Sequence, residues 1–271
     1  MSKVIKIDKA KTEQQIQEIV DWIKKYFIEN GTSKTKAVIG ISGGKDSTVA
    51  AALLVRALGP ERVIGVLMPQ GHQSDLDDSI EVCKILGIQY STINIGPTCD
   101  ELFKSFTANT GLPLNNQMIT NAPSRIRMNV LYMVAAAVGG RVCNTGNKSE
   151  AYIGYTTKYG DLAGDFALLK NFTVREVYMI GDALREIPQR LIHKTPADGM
   201  SGKTDEENIG LTYDEIDDYI LEAKIPDSLE KYENLINRHK RNEHKTRAID
   251  LPAPCACWKQ VHYENMEDEW I

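Results

Sequence analysis

The sequence predicts a doubly wound α/β fold, a parallel sheet flanked by helices, followed by a mainly helical C-terminal part. Two observations carry this. Short runs that are apolar on both faces alternate with amphipathic helical stretches, the pattern of a sheet covered on two sides. Beyond about residue 175 the strand-like runs stop and helical spacing takes over. Right-handed crossovers are expected between the parallel strands.

The elements follow in chain order. Residues 13–30 place Ile16, Ile19, Val20, Ile23, Phe27 and Ile28 at helical spacing, closed by Asn30-Gly31. Residues 37–41 (AVIGI) form a short β-branched run, followed by Ser42-Gly43-Gly44. A helix over 48–58 stops at Gly59-Pro60. Strands are predicted at 63–68, 90–95 and 141–145, and helices at 76–86, 125–138, 174–184, 213–222 and 229–239. Residues 194–210 (KTPADGMSGKTDEENIG), rich in Gly, Thr, Asp and Pro, read as a functional lid or a disordered stretch. The whole chain, 1–271, reads as one domain with an α/β core over about 15–190, the lid at about 194–210 and a helical segment at about 211–250.

Composition excludes several classes. With 42% hydrophobic and 25% charged residues, the chain is neither disordered nor collagenous. Its longest apolar stretches, such as 130–138, fall short of the ~20 residues that span a bilayer. The start, MSKVIKIDKAKTEQQ, lacks the apolar run of a secretory leader, so a cytoplasmic location is expected. Lys plus Arg is 32 against 37 Asp plus Glu, a net charge of −5, which argues against a long nucleic acid as partner. The cysteines, Cys83, Cys99, Cys143, Cys255 and Cys257, are odd in number and scattered, and Cys255-Ala256-Cys257 is too tight for CxxC. Neither a disulfide framework nor a zinc site is expected.

The most informative segment is Gly40-Ile41-Ser42-Gly43-Gly44-Lys45-Asp46-Ser47, between the first strand and the next helix. Two adjacent glycines let the backbone turn tightly and approach a ligand. The helix that follows offers unpaired N–H groups and the positive end of its dipole, a seat for phosphate. Ser42 and Ser47 add hydroxyls, Lys45 adds charge, and Asp46 is suited to a divalent cation. A Walker A loop is excluded, since Ile39 stands where its first Gly belongs and Asp46 where Ser or Thr belongs. GxGxxG is absent too, because Ser42 takes the second glycine position.

This segment resembles the SGGxDS signature of the PP-loop (N-type) ATP pyrophosphatases, which hold the pyrophosphate of ATP while a substrate oxygen attacks the α-phosphorus. Four further motifs follow in order: RIRMxxLY from Arg125, TGNxSExxxGYxTKYGD from Thr145, TDExxxGLTYDEIDDY from Thr204, and Glu243-His244-Lys245. Together, from about residue 15 to 250, they resemble the ammonia-dependent NAD synthetases. The resemblance implies an adenine nucleotide alpha-hydrolase-like fold and a homodimer. It implies an activity that turns deamido-NAD, ATP and ammonia into NAD, AMP and pyrophosphate with magnesium. It also implies that residues Gly40 to Ser47 and Thr145 contact ATP, and that Asp46 and Glu150 ligate the metal. Arg125, Lys158, Asp165, His244 and Lys245 match positions that bind deamido-NAD. Asp46 and Asp161 are the candidate catalytic residues, Asp161 orienting substrate or ammonia or else structuring its loop. A fused amidase domain does not fit in 271 residues, so free ammonia, or ammonia from a separate protein, is expected.

The chain departs from that family's usual pattern at three places. Position 45, commonly apolar or uncharged, is Lys45; a usual ATP-contacting lysine is replaced at Thr173-Val174, with Lys170 or Lys194 as substitutes; Ala197 follows the lid's Pro196. Arg127 reads as a solvated charge, and Asp214, Glu215, Asp217 and Asp218 as an exposed acidic helix start. Tyr152 and Tyr155 read as packing, while His72, His193, His239 and His262 carry no role.

Overall fold

A computed structural model describes residues 9–71, 75–194 and 204–247. Five strands form one sheet: β1 (Lys36–Gly40), β2 (Val63–Leu67), β3 (Gln89–Thr92), β4 (Gly140–Asn144) and β5 (Phe166–Ala167). All are parallel, in the order β3-β2-β1-β4-β5. The register pairs Val38 with Ile64 on one side and with Val142 on the other. The order reverses between β1 and β4, so a crevice opens beyond their carboxyl ends, where sheets of this kind bind ligands.

The helices are α1 (Lys9–Glu29), α2 (Lys45–Leu58), α3 (Leu76–Leu86), α4 (Gly96–Thr110), α5 (Asn116–Val138), α6 (Lys148–Ile153), α7 (Val174–Ala183), α8 (Gln189–Ile192), α9 (Asp205–Ile209), α10 (Tyr213–Glu222) and α11 (Leu229–Asn242). Helices α1, α2 and α7 pack together on one face of the sheet around Ile23, Leu53, Leu54 and Val177, none of which reaches solvent. On the other face α5 lays Val130, Leu131, Val134 and Ala135 against Val38, Val66 and Val142. A separate apolar cluster of Ile153, Val174, Ile209, Leu211, Tyr213, Ile216 and Leu235 ties α6, α7, α9, α10 and α11 together. Among the described residues no helix is long and apolar enough to cross a membrane.

The predicted sheet and its covering helices are present, and the mismatches have physical causes. Helix α5 starts at Asn116 rather than at 125, because Asn115 caps it by accepting from the Met118 N–H at 2.9 Å and Pro123 is carried inside. Helices α4, α6, α8 and α9 and the two-residue β5 were not expected. Of these, α6 and α9 are each short helices closed by a capping box, Asn147 with Glu150 and Thr204 with Glu207. Pro196, Ala197, His72, Cys255, Cys257 and His262 lie outside the described residues, as does most of the expected lid; its end, 205–209, is helix α9.

Candidate active site

The glycine turn after β1 forms the first wall. Gly43 has φ +76°, and a Cβ there would meet the Asp75 carbonyl oxygen and Asp78 Cβ at 3.0 Å, so both conformation and space require glycine. The Ser42 N–H donates to Ser47 Oγ at 3.2 Å, and the Gly44 N–H to Ser42 Oγ at 3.3 Å, which folds the loop back onto α2. Gly44 precedes α2 with no side chain capping it. The first N–H groups of a buried fourteen-residue helix therefore face the crevice, a seat for an anionic phosphate chain.

The second wall is the loop from β4 into α6. Asp46 and Glu150 each stand six residues past the end of adjacent strands (40 to 46, 144 to 150), which brings them to the same edge of the sheet. Asn147, fully buried, joins them. Its Nδ2 donates to Asp46 Oδ1 at 3.2 Å, and its backbone N–H donates to Glu150 Oε2, also at 3.2 Å. Burial, then the charge of Asp46, raise the Glu150 pKa to about 8, against the pull of Lys45 and the Asn147 N–H. Thr145, half-buried, directly follows β4 at the same edge.

Lys45 does not reach toward the glycine turn. Its side chain is 4% exposed, with Nζ 2.7 Å from Asp46 Oδ2 and above the rings of Tyr178 (5.6 Å) and Tyr213 (5.7 Å). Burial alone would lower its pKa, but Asp46 and Glu150 outweigh burial and hold it above the usual lysine value.

Around the 154–161 loop lies a group of basic side chains. Arg125 Nε donates to the Lys158 carbonyl at 3.3 Å, and Lys158 Nζ to the His244 carbonyl at 2.9 Å. Lys245 Nζ donates to the Gly154 and Thr156 carbonyls, each at 2.8 Å; burial lowers its pKa, partly offset by Asp161. Arg125, Lys158, His244 and Lys245 thus converge, through backbone carbonyls more than through one another. Lys158, Lys170, Lys245 and Arg247 line a cavity of about 180 Å³ beside them. The His244 ring turns back to the Arg241 carbonyl. Asp161 Oδ1 accepts from the Thr157 N–H at 2.7 Å, and its own N–H donates to Ser124 Oγ, so it organises the loop. Crowding by protein atoms raises its pKa above the usual carboxylate value, against the Thr157 and Ser124 hydrogen bonds. Asp165 stands apart from this group. Its Oδ2 accepts from the Val142 N–H of β4 at 2.7 Å and its carbonyl from the Tyr26 hydroxyl.

Four residues read from the sequence as exposed or solvated, Asp217, Asp218, Glu215 and Arg127, need correction. Asp217 is not exposed but buried, at 1%, and accepts from Ser149 Oγ at 2.5 Å and from the Arg175 N–H at 2.8 Å. Asp218 holds Arg175 and Lys224, each at 2.6 Å, and Glu215 closes a capping box and pairs with Lys231. Arg127 is half-buried, with Nε donating to the Met68 carbonyl at 3.1 Å. Lys194 is engaged by Asp75 (2.7 Å) and Asp78 (2.6 Å) beside the glycine turn. Tyr152 stacks on His239 and Tyr178 on His193.

Asn147 and Ser149 were missed as site-builders. The run Asn147-Lys148-Ser149-Glu150 after a strand is a capping-box signature that points to Asn147. Nothing in the local sequence marks Asp217, whose partners are distant in the chain.

The two carboxylates fit a hard divalent cation, sharing one asparagine and repelling each other. Among the described residues no cluster of three or more ligating side chains occurs, so a cation held by this pair would need further ligands from outside the protein.

Residues 15–249 match the family model described as NAD synthase. The chain is 36% identical over 247 residues to the NH(3)-dependent NAD(+) synthetase of Alkaliphilus metalliredigens, covering 88% of this chain and 97% of that one. It is 38% identical to the NH(3)-dependent NAD(+) synthetase of Thermococcus kodakarensis, covering 86% and 94%. The fold is similar to the solved structure of NMN synthetase from Francisella tularensis, with a TM-score of 0.79, 32% identity and coverage of 89% of this chain and 98% of that one.

Proposed function

Because the chain belongs to the NAD synthase family, we propose that it is an ammonia-dependent ligase that amidates deamido-NAD (nicotinic acid adenine dinucleotide) with ATP, giving NAD, AMP and pyrophosphate. The observation that carries this reading is an uncapped helix N-terminus after a glycine turn, whose first-turn Asp46 is joined through Asn147 to Glu150 of the facing loop.

In this reading the backbone and hydroxyls of Gly40, Ile41, Ser42, Gly43, Gly44 and Ser47 receive the phosphates of ATP, with Thr145 across the crevice. Lys45 contributes its backbone N–H, its ammonium being turned inward. The substrate carboxylate oxygen attacks the α-phosphorus, and the bond to pyrophosphate breaks. Ammonia then adds to the carbonyl carbon of the adenylate, loses a proton, and AMP leaves. Two anions must meet in the first step, so fixed positive potential has to surround them. Asp46 and Glu150 would hold the magnesium ion, which supplies neutralisation of phosphate charge. Arg125, Lys158, His244 and Lys245 bind the dinucleotide, Asp165 touching it from the β5 side. Asp161 keeps Thr157 and Ser124 in place beside the reacting carboxylate.

A homodimer belongs to the same reading. Of the 23 residues of α5 only Pro123 and Ala135 are fully buried, and Ile119, Met133, Leu102 and Leu112 stand exposed on the α4–α5 face. Exposed apolar side chains of this kind are suited to burial against a second copy.

The likeness to NMN synthetase favours a second reading, in which the amidated acid is the mononucleotide. Purified protein with ATP, magnesium and ammonium is incubated with deamido-NAD or with nicotinate mononucleotide, and products are resolved by chromatography. NAD with equal AMP supports the first reading, and NMN alone selects the second. Neither product at high ammonium overturns both.

A further inference from the structure

A lysine that serves a phosphate loop extends into the crevice and stays solvated until the nucleotide arrives. Lys45 does the opposite. It is almost fully buried, bonded at 2.7 Å to Asp46 Oδ2, and covered by the ring faces of Tyr178 and Tyr213, which a cation favours. The other Asp46 oxygen is taken by Asn147. Both oxygens of one proposed metal ligand are therefore occupied by the protein, and one of the occupants carries a positive charge. A buried cation beside two carboxylates offsets their repulsion and lowers the potential that would draw in a second cation.

We propose that Lys45 is a positioning residue that acts as a tethered cation inside the metal site, fixing Asp46 and competing with the divalent ion for its Oδ2. In the nucleotide-free protein Lys45 keeps Asp46 and Glu150 together without metal and holds metal affinity low. The proposal rests on the reading of Asp46 and Glu150 as metal ligands.

The test is calorimetric titration of nucleotide-free protein with Mn²⁺, all variants at one pH. It compares wild type with Lys45→Met, Lys45→Gln, Lys45→Arg and Asp46→Ala. Removal of the charge in Lys45→Met tightens Mn²⁺ binding by about tenfold, less than the unscreened Coulomb term because solvent reaches the crevice. Lys45→Arg, which keeps the charge, stays near wild type, and Asp46→Ala loses binding. Lys45→Gln gives the same direction as Lys45→Met if the apolar variant fails to fold. Equal or weaker Mn²⁺ binding by both uncharged variants overturns the proposal, as does a raised KM for ATP in Lys45→Met without tighter Mn²⁺ binding, which would make the ammonium a phosphate contact. Absence of Mn²⁺ binding in every variant would remove the metal reading itself, and this proposal with it.

Discussion

The Glu150 carboxylate closes the capping box of α6 through the Asn147 N–H and, in the proposed chemistry, also ligates a metal. The two roles separate by substitution. Gln serves a capping box as well as Glu but carries no charge. Glu150→Gln should therefore melt close to wild type while kcat falls by roughly a hundredfold or more. A large drop in melting temperature would make Glu150 structural instead. The same carboxyl predicts a pH effect. Its folded pKa, raised to about 8 from an ordinary value of 4.5, means the folded state holds the proton that the unfolded state has released. Its stability contribution is complete below about 4.5 and is lost as pH rises toward 8. Denaturant midpoints across that window should fall more steeply in wild type than in Glu150→Gln. Ser149 offers a third test. Its hydroxyl donates to buried Asp217 and accepts the Val174 N–H, so Ser149→Ala leaves buried polar groups short of a partner. A loss of about 1–3 kcal/mol is expected in urea denaturation. At this scale the placement of Asp46 and Glu150 at one sheet edge and the glycine turn were legible, because each follows closely on its own strand. The sequence hid the direction of the Lys45 side chain and the burial of Asp217, since both depend on partners from other elements.

Among elements, the contact between α6 and α11 positions the basic group. Gly154, at φ +66°, ends α6, and a Cβ there would stand 2.0 Å from Asn242 Cβ. Lys245, just beyond α11, bonds the Gly154 and Thr156 carbonyls. Gly154→Ala must push α11 outward. It should cost about 2 kcal/mol or more in stability and raise KM for deamido-NAD more than for ATP, measured by steady-state kinetics. Equal effects on both substrates would detach Lys245 from the dinucleotide. The buried strands β1, β2 and β4 were legible because apolar residues on both faces of a short run have few other uses. The four residues of β3 are all exposed, and only the strand's neighbours reveal its register. The start of α5 was obscured by Pro123, which normally marks a helix boundary. Here Asn115 caps the helix well before the proline, and the remaining turns pack on the sheet.

For the whole molecule, the fold class followed from the alternation of elements, but how copies meet leaves no periodic trace in the chain. The exposed face of α4 and α5 carries that expectation. Sedimentation velocity should show a dimer, and Met133→Lys, which places a charge where the side chain is 66% exposed, should shift it toward monomer without lowering the melting temperature of the monomer. A monomeric wild type at micromolar concentration would remove the homodimer. The crevice itself depends on two strands that are neighbours in space and remote in sequence, since the hydrogen bond from Asn147 to Asp46 spans 101 residues. A chain still emerging from the ribosome would carry the glycine turn long before the second wall exists. Its nucleotide seat would stay half-built until β4 slots in beside β1, so tight uptake of ATP should appear abruptly, past the midpoint of the chain, when the middle of the sheet closes.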